Sequence, residues 1–96
     1  MEVWQHYLMA LQQDAERIPT HAFGRGDLLA EAAHNAYQQT SDRLVAEGWD
    51  PESTLTVMRL LNQVTGSWID RDGVNWDGLS REMQAQYEAW TRPSEG

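Results

Sequence analysis

Two groups of residues carry the types and spacings that chemistry would need. The first is Glu31-Ala32-Ala33-His34. An acid and an imidazole three residues apart share one face of a helix, as in the di-iron sites of helical bundles. Such a site takes a second Glu-x-x-His pair and further carboxylates, and the chain has one copy, with no spacing of His6 or His21 that would complete it. The second group is Asp70, Asp72 and Asp77 around Gly73 and Gly78. Counted as a calcium-binding loop from Asp70, the sequence places Val74, Asn75 and Arg81 where that loop needs a ligand, a glycine and a glutamate. Both groups therefore read as ordinary polar structure, a helix face and a turn region. No metal ligand, catalytic residue or cofactor is expected.

Other chemistries fall away for want of residues. There is no cysteine, so disulfides, thiol nucleophiles and thiolate metal sites are excluded. All seven cationic residues are arginine, which removes Schiff-base and lysine general-base chemistry. No phosphate-cradling loop, nucleophile elbow or zinc-protease motif occurs. Gly24-Arg25-Gly26 lacks a third glycine and a preceding strand. The expectation is a protein that is not an enzyme.

The net charge of −8 opposes direct binding to a nucleic-acid backbone and to anionic membrane surfaces. It suits a partner protein with a basic surface. No apolar run approaches the roughly 18 residues of a membrane span, and the N-terminus shows no basic segment followed by an apolar one. A soluble, cytoplasmic protein is expected.

The elements that must position these residues are helices. Trp4, Tyr7, Leu8, Leu11, Ala15 and Ile18 recur at steps of three and four, predicting a helix over 2–18 that Pro19 ends. A loop containing Gly24 and Gly26 follows, and Asp27 is the expected N-cap of a second helix over 27–47, stopped by Gly48. Its stripe is Leu29, Ala33, Ala36, Tyr37, Thr40 and Leu44, alanine-rich enough for close helix packing. Asp50-Pro51-Glu52 is a strong start signal for a third helix over 51–69, with Leu55, Met58, Leu61, Val64 and Trp68 inward and Val57 and Leu60 widening the stripe. After an irregular stretch over 70–78, a fourth helix over 78–91 begins at Asp77 or Ser80 and carries Leu79, Met83, Tyr87 and Trp90. The fold class is all-α: one compact, bundle-like domain over 1–96 of about four helices, mainly antiparallel because the loops are short.

The five tryptophans are the most suggestive remaining residues. Trp4, Trp68 and Trp90 lie on apolar stripes and read as core. Trp49 and Trp76 fall in connections, each beside an aspartate, where an indole serves as a lid over the core or as a hot spot for a partner. The sequence points to Trp76 and Trp49 with Asp70, Asp72 and Asp77 as a partner-binding surface. The functional expectation is a small acidic inhibitor or adaptor that occludes a basic surface, of the physical type found among mobile-element inhibitors of nucleic-acid-binding proteins. DNA mimicry proper would need carboxylates in rows. The alternatives are a self-associating subunit, since Met9, Leu28, Val57 and Leu60 widen three stripes, and a metal-dependent enzyme using Glu31 and His34.

Overall fold

The computed structural model describes residues 2–19, 24–70 and 73–90, without the side chains of Arg25 and Asp70. Its elements run α1 (Val3–Ala15), α2 (Arg25–Ala46), α3 (Pro51–Trp68), a two-stranded antiparallel pair β1 (Ile69–Asp70) and β2 (Gly73–Val74), and α4 (Trp76–Trp90). Among the described residues this is an all-α, bundle-like domain with one small hairpin. α1 packs chiefly on α2, α2 on α3 and α3 on α4, while the hairpin rests on α2. The molecule measures 47 × 24 × 19 Å.

The helix boundaries have local causes. α1 is shorter than its apolar spacing suggests. Pro19 forces Ile18 out of the helical region, and the end tightens into i→i−3 bonds from Arg17 N–H to Asp14 O (3.2 Å) and Ile18 N–H to Ala15 O (3.1 Å). α2 begins before Asp27. Gly24 adopts φ +74° at the N-cap, and its carbonyl accepts from the Asp27 and Leu28 N–H groups at 3.0 and 3.1 Å. Asp27 thus sits in the first turn, where its charge faces the positive helix end. The end of α2 is a Schellman motif. Gly48 takes φ +90°, its N–H bonds Val45 O at 3.1 Å, and the Trp49 N–H bonds Leu44 O at 3.0 Å. Asp50 then caps α3 by accepting from the Ser53 N–H at 2.9 Å, with Pro51 at the first helical position. The hydrogen bond from Ser53 holds the Asp50 carboxyl below its usual range.

α4 starts at Trp76 because Asn75 caps it. The Asn75 side-chain oxygen accepts from the Gly78 N–H at 3.1 Å. The stretch expected to be irregular over 70–78 is instead shared between the hairpin, which begins at Ile69 and sets Ile69 opposite Val74 and Asp70 opposite Gly73, and the first turn of α4.

The core joins Tyr7 and Leu11 of α1, Leu29, Ala36 and Leu44 of α2, Val57, Met58 and Leu61 of α3, and Leu79 and Met83 of α4, all fully buried. Ala10 of α1 and Ala32, Ala33 and Ala36 of α2 are buried in the same core cluster. One stripe is rotated from expectation. Leu55 is 44% exposed, whereas Val57 is fully buried and Thr54 and Thr65 lie inside. Two bonds explain the rotation. The Thr54 hydroxyl donates to Asp50 O at 2.9 Å and that of Thr65 to Leu61 O at 2.8 Å, so threonines enter the core with their hydroxyl donors satisfied.

Candidate functional site

The two loop tryptophans lie at opposite ends of the molecule. Trp49 precedes α3 and Trp76 follows the hairpin after it, so the 18 residues of α3 separate them, about 27 Å at 1.5 Å per residue. Both are half-buried and pack against the core. Of the acids grouped with them, Asp77 is exposed and pairs with Arg81 on the same helix at 3.1 Å. Asp70 lies in β1, and Asp72 falls outside the described residues. The surface read from sequence is therefore divided, with Trp76, Asp77 and Asp70 at one end and Trp49 at the other.

At the Trp76 end the dominant contact belongs to Trp68. Its indole N–H donates to Glu82 Oε2 at 2.5 Å, and its ring lies over Gly78, one helical turn away on α4. A Cβ at Gly78 would meet three ring carbons of Trp68 at under 3 Å, so only glycine admits this approach. Sequence spacing showed Trp68 as core but gave no sign of its partners, which lie 10 and 14 residues on.

At the Trp49 end the Schellman turn and the Asp50 cap fix the backbone on both sides of the indole. Trp49 stacks on Trp90 with ring centroids 6.2 Å apart and planes 15° from parallel, and Tyr87 meets Trp90 at 6.0 Å. Aromatic pairs at this separation are favourable. Exposed carboxylates flank the indole in sequence: Glu47, which the Arg43 guanidinium meets at 2.9 Å, then Asp50 and Glu52. The stack joins residues 41 apart in sequence, which periodicity cannot reveal.

Grooves open between the ends, two of them lined by described residues. One of about 450 Å³ lies between α3 and α4, lined by Arg59, Leu60, Gln63, Val64, Glu82 and Gln86 among others. A second of about 330 Å³ lies between α2 and α3 and includes His34 and Tyr37. Glu31 and His34 are both exposed on α2, and among the described residues no three His, Asp or Glu side chains are arranged to hold a metal ion. His21 lies outside the described residues.

His6 sits on the α1–α2 seam. Its Nδ1 is hydrogen-bonded to the fully buried Thr40 hydroxyl at 3.2 Å. Burial, and secondarily the Arg43 guanidinium, push its pKa down, against a smaller opposing pull from Glu47. The Tyr7 phenol is fully buried, and its hydroxyl has no hydrogen-bond partner among the described residues. Burial raises its pKa. The Thr65 hydroxyl, which donates to Leu61 O, offsets part of that rise.

Among the described residues no helix is long and apolar enough to cross a membrane. Comparison of the chain with protein-family models, with curated proteins and with solved structures returns no match.

Proposed function

We propose that the chain is a non-enzymatic acidic binding module, an inhibitor or adaptor that occludes a basic surface on a partner protein, with the Trp49–Trp90 end as the centre of contact. The observation that carries this reading is a pair of half-buried stacked indoles flanked by the exposed carboxylates Glu47, Asp50 and Glu52. Carboxylates speed encounter with an Arg- or Lys-rich face. Rigid aromatics then supply contact energy at small entropic cost.

Occlusion fits better than imitation of a nucleic-acid backbone. A DNA strand carries one charge per 3.4 Å. The outer face of α2 carries exposed Asp27, Glu31 and Asp42. Their intervals of four and eleven residues are about 6 and 16 Å of helix rise, too sparse for a phosphate row.

Affinity capture from native lysate, washed at rising salt and identified by mass spectrometry, tests the reading. Wild type is expected to retain a protein with a basic surface that salt releases. The double variant Glu47→Gln, Glu52→Gln is expected to lose most of it, and Asp77→Asn to lose little. Equal loss from Asp77→Asn would move the contact to the other end. Capture that ignores salt would sink the electrostatic reading.

A further inference from the structure

The outward face of α3 differs in charge from the rest of the surface. α3 contains one carboxylate, Glu52, and one cation, Arg59, so it is neutral within a chain of net charge −8. Leu55, Arg59, Gln63 and Gly66 succeed one another at three- and four-residue steps, which places them on one side of the helix, and all are exposed.

Three features of this face are left open among the described residues. Arg59 makes no ion pair among the described residues and borders the groove of about 450 Å³ shared with α4. Glu82, on the α4 wall of that groove, commits Oε2 to the Trp68 indole and leaves Oε1 without a donor among the described residues. Gly66 is helical and exposed, and a Cβ there would meet nothing within 4 Å. Glycine weakens a helix relative to alanine, and among the described residues nothing occupies the place of the missing side chain. Close approach of a second backbone calls for such a gap.

We infer that this face is a homodimer interface, with α3 of each protomer seated antiparallel on the α3–α4 groove of the other, about a two-fold axis near the level of Gln63. A two-fold interface must be self-complementary. The Trp68–Glu82 bond sets Glu82 near the C-terminal end of α3, while Arg59 lies nine residues before Trp68, about 13 Å along the helix. The two-fold exchanges these levels, so each Arg59 meets Glu82 of the partner subunit. The groove floor, Leu60 and Val64, supplies apolar contact alongside Leu55. A neutral strip offers a basic partner no steering, yet it is where two chains of charge −8 approach with least repulsion. The 47 × 24 Å broad side of the molecule has room for the roughly 800 Å² per protomer of a standard interface.

Sedimentation velocity of the full chain, from micromolar to millimolar concentration, tests the dimer. Wild type is expected to pass from monomer to dimer. Gly66→Gln is expected to raise Tm at low concentration while weakening association at least tenfold, a pair of opposite effects that a purely structural glycine would not give. Arg59→Glu should also weaken association at least tenfold, and Arg17→Glu, the same charge change on an exposed residue outside this face, should leave it within twofold. A wild-type chain monomeric at millimolar concentration overturns the inference. So does undiminished association of Gly66→Gln, or equal losses from Arg17→Glu and Arg59→Glu.

Discussion

Two side chains on the α1 seams set measurable properties of the fold. The buried Tyr7 hydroxyl lacks a hydrogen-bond partner among the described residues, and an unmet buried donor is unfavourable. Tyr7→Phe is therefore expected to be neutral or stabilising by up to about 1 kcal/mol, read by urea denaturation. A loss of more than about 1 kcal/mol would mean that the phenol is well paired after all. His6 makes an opposite demand. Its folded pKa lies below the ordinary 6.5, so the unfolded chain takes up protons first as pH falls. The His6 contribution is complete above pH 6.5 and is lost as pH falls from there toward the lower folded value. Denaturation curves from pH 7.5 to 5 should show that slope, and His6→Gln should flatten it. Neither property was legible in the sequence, where His6 is one of three scattered histidines and Tyr7 one member of an apolar stripe.

The helices separate signals that stay local from those that cross the molecule. Gly48-Trp49-Asp50-Pro51 could be read as stop and start because every bond involved lies within five residues. The inward turn of Thr54 in place of Leu55 could not, since it depends on a hydroxyl finding the carbonyl four residues back. α4 starts earlier than Asp77 or Ser80 would set it because Asn75, rather than an aspartate, is its cap. Least legible was the seating of Trp68 on Gly78, which joins two elements through the absence of a side chain. Gly66 and Gly78 should respond in opposite senses. Gly78→Ala forces the Trp68 ring away and is expected to destabilise by about 1–3 kcal/mol, whereas Gly66→Ala enters open space and should stabilise by up to about 1 kcal/mol. Thermal melts of the two variants at low concentration make the comparison. A tolerant Gly78→Ala would show that α4 does not need that close approach.

Across the whole molecule, the charge balance dominates. Between described residues, the Arg43–Glu47 bridge joins α2 to its C-cap and the Arg81–Asp77 bridge lies within α4, both local to one helix, while the net charge of −8 works against compaction. Tm is expected to rise between 10 mM and 500 mM sodium chloride as the repulsion is screened. A flat or falling Tm would mean that the two bridges outweigh the repulsion. The four-helix architecture was legible because apolar spacing is a property of each segment alone. The division of the expected Trp49 and Trp76 surface into two ends was not, since it follows from which way α3 carries the chain. The indole stack at the Trp49 end has an optical consequence. Two indoles with centroids 6.2 Å apart are close enough for their electronic transitions to couple, and any skew between the transition dipoles gives the far-ultraviolet circular dichroism a native reporter. Because one ring leads into α3 and the other closes α4, the amplitude of that couplet would follow the docking of the last helix without any attached label.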